Sequence, residues 1–449
     1  MRLTVVLLAL VTFGAIVLTR NGSNACGQDF TSDALGALSA DKAEAARAIK
    51  SLRSAGPAGL QTLFSTYQAA IDRHRADPRK SDAMWDRLSE ALDGVAAQKD
   101  AWAAGLYWYT DLDAAERAAK ASGKPILSLR LLGTLDTEFS CANSRFFRTV
   151  LYPNAQVGKA LREQYILHWQ SHRPVPKLTI DFGDGRKIER TITGNSVHYV
   201  LTPDGRVVDV IPGLYGPAAF LRALDAAHDI AVQSGESDFA ERLIAYHTKR
   251  LADVRFEWAS DLQQVGVSSL PVLQPAKAGG EGQPVYSAVA GARISSAKAA
   301  VEIRPLVALS PDRQTLVART DEATWAKLAT LHAKDASLDA GSRAVILEKV
   351  GTTAVLANRL TVSKKIVEDP TLVMIRNFER SVAEDTVRNE YLFHSQIHEW
   401  FEKNQVPAKL DDLNEKVYAE LFLMPRSDPW LGLVARDTYT ALPAEGAGR

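Results

Sequence analysis

The stretch TEFSCANSRFF, residues 137–147, sets Cys141 three residues before Ser144 and close to two cations, Arg145 and Arg148. Backbone N–H groups at a helix start favour a thiolate, and nearby guanidinium groups add to the effect. A sulfur so placed can form mixed disulfides, or be oxidised to sulfenic acid and rescued by an external thiol. Ser144 could donate a hydrogen bond to it. The competing reading is a small, inert, buried side chain. The chain has two cysteines, and the other, Cys26, borders an apolar N-terminal segment. At most one disulfide, Cys26–Cys141, can therefore form, and stability must come from packing.

A second constellation lies in NEYLFHSQIHEWF, residues 389–401. His394 and His398 are four apart, and Glu390 stands one turn earlier. On one helix this spacing can bring two imidazoles and a carboxylate to a common metal. No glutamate follows the first histidine, so the zincin pattern is absent. Both histidines fall on the stripe Val387, Tyr391, Phe401, which reads as core-facing, so packed histidines are the alternative. In HWQSHRPVP, His168, His172 and Arg173 read as a solvated loop beside a strand, with polar groups near the thiol as the other option. The letters DFGDG (181–185) read as a hairpin turn, because the other kinase motifs are missing. No P-loop, dinucleotide fingerprint or Ser-His-Asp set is present, and no cofactor is expected. Lys plus Arg and Asp plus Glu both number 53, which leaves no electrostatic footprint for nucleic acid.

These residues need elements to hold them. Residues 31–105 are Ala-rich with apolar residues at three- and four-residue steps, which predicts helices turning at AGPAG (55–59) and a further helix over about 81–104. Residues 106–234 predict a helix ending at Gly123, a strand at 126–133, helix through CANSRFFRTVL and NAQVGKALREQ, and a strand at 165–169. Hairpins follow at 177–193 and 197–211, turning at Asp184-Gly185 and Asp204-Gly205, and then a helix at 216–234. This order means an α/β layer. A helical extension spans 235–270, a Pro/Gly/Ala-rich linker 271–289, and a helical C-terminal domain 290–440. Its clearest helix opens at EDPTL, with Asp369 as cap and Pro370 in the first turn.

The segment WYTDLDAAERAAKASGKPILSLRL (108–131) resembles the opening of secreted thioredoxin-like domains: a Trp-led turn, a helix, then Gly-Lys-Pro feeding the first core strand. Cys141 occupies the place where that family carries its cysteine motif, and the closing hairpin and helix fit. The resemblance covers about 125 residues and implies an α/β thioredoxin-like domain flanked by mainly α-helical N- and C-terminal regions. Four departures matter. The motif is CxxS, with Ser144 for the second thiol. The loop TLDTEFS (134–140) is long. A hairpin replaces a connecting helix at 177–193. Asn195 and Ser196 stand where a cis-proline would face the sulfur. A dithiol releases its substrate by internal disulfide formation, so exchange of that kind is not available here unless Cys26 serves as partner.

Residues 1–26 read as a targeting segment: Met1-Arg2, then 17 uncharged residues from Leu3 to Thr19, then Ser23 and Ala25 before Cys26. Cleaved signal, membrane anchor and lipoprotein signal stay open, and each places the rest outside the cytoplasm, periplasmic or membrane-anchored in a bacterial-type cell envelope. Two functions are expected: single-thiol redox or mixed-disulfide activity at Cys141, with Ser144, Asn195 and Ser196 in support, or a catalytically inactive binding scaffold. The partner is a protein or a thiol substrate.

Overall fold

The computed structural model describes residues 29–191, 195–235, 237–267, 322–350, 370–422, 424–429 and Leu431. The apolar N-terminal segment, the 271–289 linker and the Asp369 cap lie outside them. Among the described residues no helix is long and apolar enough to cross a membrane.

The N-terminal region is a set of short helices: α1 (Thr31–Gly36), α2 (Lys42–Ser54), α3 (Pro57–Thr66), α4 (Gln68–Ala76), α5 (Ala83–Ala96) and α6 (Ala101–Ala104). The AGPAG turn is made by Gly56, at φ 70°, with Pro57 in the first turn of α3. The helix expected over 81–104 is instead broken. Ala97 and Asp100 take left-handed conformations, and the freed groups find partners: Asp93 accepts from Ala101 N at 2.9 Å and from Lys99 Nζ at 2.8 Å, while Trp169 Nε1 donates to the Ala97 carbonyl at 2.8 Å. Tertiary bonds thus outweigh a locally favourable helix.

The centre is mixed α/β. Strands β1 (Trp108–Tyr109), β2 (Ile126–Leu132), β3 (Ile166–Arg173), β6 (Val197–Leu201) and β7 (Val207–Pro212) form one sheet in the order β1-β3-β2-β6-β7. The first three are parallel; β6 and β7 run antiparallel. Helices α7 (Leu112–Ser122), α8 (Ala142–Phe146, continued by a π turn at Phe147–Leu151) and α9 (Ala155–Gln164) connect them. Asp111 and Asn154 cap α7 and α9 by accepting from backbone N–H groups of the first turn. Every residue of β2 is buried, as expected for a central strand covered on both faces. The 177–193 stretch is a separate two-stranded hairpin, β4 (Lys177–Asp181) with β5 (Lys187–Thr191).

Helices α10 (Pro217–Val232) and α11 (Phe239–Gln264) follow the sheet. Beyond the linker lie α12 (Glu322–Leu331), α13 (Ala340–Val350) and α14 (Pro370–Arg388). A π turn at Asn389–His394 leads into α15 (Ser395–Glu402), and α16 (Leu410–Lys416) ends in a π turn at Val417–Leu421. These C-terminal helices share one apolar core with the sheet: Trp325, Val387, Tyr391 and Trp400 belong to the same cluster as Leu129, Tyr199 and Phe220. The N-terminal helices build a second core around Leu52, Trp85 and Leu92, which Val345 of α13 joins.

Candidate functional site

Cys141 caps α8, just after the loop that leaves β2. Its amide donates to the Leu132 carbonyl at 3.3 Å, which anchors the loop to the end of the strand. The side chain is fully buried. Its sulfur lies 3.3 Å from Ser144 Oγ and 3.1 Å from Ser196 Oγ. Ser144 Oγ–H donates to the Cys141 carbonyl at 2.9 Å, so its lone pair faces the thiol. Two of the expected partners, Ser144 and Ser196, thus meet the sulfur.

Other parts of the expectation change. No helix-start N–H bonds the sulfur. The two cations are engaged elsewhere: Arg145 donates to Thr191 Oγ1 at 3.0 Å, and Arg148 pairs with Asp100, both nearly without exposure. Asn195 enters through its backbone, because its carbonyl accepts the Tyr418 hydroxyl at 2.9 Å. There is no cis peptide among the described residues.

His168, His172 and Arg173 are not a solvated loop; they belong to β3. His168 is buried and shares a 2.8 Å hydrogen bond with Ser128 of β2, and burial, with Arg130 nearby, lowers it to about 3. His172 stacks on Tyr418 at 4.0 Å between ring centres; burial, then Arg173, lowers it to about 4. The Arg173 guanidinium donates to the Met424 and Asp428 carbonyls, both at 3.0 Å. Asn414 joins Tyr199 Oη and His172 Nδ1 at 3.1 and 3.0 Å, and Arg130 pairs with Asp411 at 3.2 Å. The strand is longer than periodicity indicates because C-terminal groups from α16 onward satisfy its polar side chains.

The second place is a buried polar cluster. His394 and His398 both have no exposure, and they do not share a ligand point with Glu390. His394 lies between two carboxylates: its Nδ1–H donates to Glu390 Oε2 at 2.9 Å and its Nε2–H to Asp209 Oδ1 at 3.1 Å. Burial pushes His394 down, but the charges of Asp209 and Glu390 outweigh it and lift it to about 9. Burial alone would raise Asp209; His394 instead holds its carboxyl far below the usual range. Arg250 pairs with Glu390 at 3.0 Å, and Tyr246 Oη–H donates to Asp209 Oδ2 at 2.6 Å. His398 turns the other way, its Nδ1 meeting His247 Nδ1 at 2.8 Å. His247 Nε2 lies 2.9 Å from the Val208 carbonyl and must donate to it, so Nδ1 of a neutral His247 is the acceptor and His398 Nδ1–H the donor. Burial lowers His247 to about 4 and His398 well below its ordinary value.

The cluster therefore includes Asp209 and His247, neither of which lies in a recognisable metal-binding motif. One signal was present: Asp209 is a lone acid inside the apolar run VVDVIP, and a charge in a buried strand requires a partner. His247 sits within an ordinary amphipathic helix and gives no comparable signal.

No family model matches the chain, and neither the curated proteins nor the solved structures include a significant match.

Proposed function

We propose that the chain is an exported, thioredoxin-like protein whose α/β unit serves as a binding scaffold of the cell envelope and does no thiol chemistry in its folded state. The observation that carries this is the complete burial of Cys141. A sulfur closed off from solvent cannot attack a disulfide or meet an oxidant, whatever its ionisation. The missing second thiol at Ser144 points the same way, because a mixed disulfide would have no internal route to release. The fold part of the reading is supported by the sheet order and by Cys141 standing directly after β2 at the start of α8. Export is supported by the uncharged run from Leu3 to Thr19. The partner is a protein.

A second reading keeps single-thiol redox activity. It is favoured by the Ser196 hydroxyl at 3.1 Å from the sulfur, which could donate to a thiolate if Cys141 became exposed; Ser144 gives its proton to the Cys141 carbonyl.

Maleimide labelling separates the two. The scaffold reading expects no labelling of Cys141 in native protein, full labelling in denaturant, and partner capture unchanged in Cys141→Ser. Native labelling at the rate of a free thiol, together with lost function in Cys141→Ser, would overturn it in favour of redox activity.

A further inference from the structure

We propose that Asp209, His247 and His398 form a structural site for a divalent transition metal, zinc foremost, that fastens the C-terminal helices to the sheet. The three come from three elements, β7, α11 and α15, and all are buried. One ligand atom from each lies within 4.8 Å of the others. Two imidazoles and a carboxylate are a donor set known for zinc that takes a water as its fourth ligand.

The geometry favours convergence on one ion. The two Nδ1 atoms point at each other across 2.8 Å. Nitrogens bound to one tetrahedral zinc at ~2.0–2.1 Å stand about 3.3 Å apart, so the pair need open by only ~0.5 Å to admit it. Outer partners already orient two ligands. Val208's carbonyl takes the Nε2–H of His247 and so leaves its Nδ1 lone pair facing inward. Tyr246 holds Asp209 Oδ2, and His394 holds Oδ1. To present Nδ1 to the metal, His398 must move its proton to Nε2, which is buried with no hydrogen-bond partner, a cost that the metal bonds have to offset. His394 and Glu390 belong to the supporting shell.

The site is independent of Cys141 and of the scaffold reading. Its test uses the full chain without a histidine tag, equilibrated with zinc, desalted and measured by elemental mass spectrometry. The expected result is about one zinc per chain, falling below about a tenth in His247→Gln and His398→Gln and unchanged in His332→Gln, a histidine outside the cluster. Chelation should lower the melting temperature of the wild type by ~5 °C or more. Wild-type protein free of zinc after equilibration would overturn the proposal, as would zinc retained in both variants. Should the variants not fold, cobalt(II) added to wild type decides: intense visible bands of a tetrahedral site support it, and the pale spectrum of a hexa-aquo-like ion overturns it.

Discussion

The hydroxyl of Tyr418 donates to the carbonyl of Asn195 across 223 residues of sequence, at 2.9 Å. The next residue, Ser196, touches the sulfur of Cys141. The π turn at Val417–Leu421 is thereby tied to the peptide that closes over the thiol, and the stacked His172 ring supports Tyr418 from the sheet side.

Removing that one hydroxyl should loosen the closure without emptying the space. Tyr418→Phe is expected to lower stability by about 1 kcal/mol. By the same amount it should raise the population of opened forms and speed maleimide labelling of Cys141 about fivefold. Urea unfolding and native labelling rates are the measurements. An unchanged labelling rate would show that the π turn does not control access.

His394 is the only group among the described residues shown bonding both Asp209 and Glu390. His394→Gln leaves buried carboxylate charge under-compensated, which typically costs about 3–5 kcal/mol. Asp209→Asn in the same background should recover part of that loss, because the unpaired charge is gone. A double-mutant cycle by denaturant unfolding reads the coupling, and simple additivity would argue against the pair.

Gly213 has φ 80°, and a Cβ there would meet the Asn389 side chain at 2.6–2.8 Å. Asn389 Nδ2 donates to the Leu214 carbonyl at 2.7 Å, so it cannot easily withdraw. Gly213→Ala therefore combines a left-handed backbone with a clash and should cost ~2 kcal/mol or more. Asn389→Ala should relieve the clash while losing its bond to Leu214, so the two changes should couple favourably in a double-mutant cycle, and simple additivity would assign the whole cost to the backbone.

His332 gives the fold a basic-side pH dependence. The Asp335 carboxylate, then burial acting the other way and Asp261, set its value, and the net effect lifts it to about 9. A raised histidine stabilises fully below its unfolded value of ~6.5, and that contribution falls away as pH climbs through about 9. His332→Gln should thus be destabilised by on the order of 2 kcal/mol at pH 6 and hardly at all at pH 10. Asp335 is held low despite burial, first by Arg222 at 2.7 Å, so its share is lost on acidification instead. An equal gap between variant and wild type at both pH values would remove His332 from the account.

Local elements were legible in the chain because their causes are local. Asp111 and Asn154 cap helices whose first turns follow at once, Gly123 ends α7 at φ 71°, and Asp204-Gly205 turns β6 into β7. The placement of Cys141 after β2 followed from the same reading. Elsewhere a distant partner overrules the local preference. Ala97 left the helix for Trp169, and His172 and Arg173 extended β3 because Tyr418, Asn414 and the carbonyls of Met424 and Asp428 receive them.

By itself the sequence determined a helical N-terminal region, an α/β centre and a lone sulfur at a helix start, since periodicity, capping and turn chemistry act over a few residues. Only the tertiary structure decided that the sulfur is closed in by Ser144 and Ser196, and that His394 and His398 look to different partners. His394 meets Asp209 across 185 positions, and His398 meets His247 across 151. The physical reason is that a buried polar side chain takes whatever partner the packed core brings to it, and helix or strand periodicity carries no record of which distant element that will be.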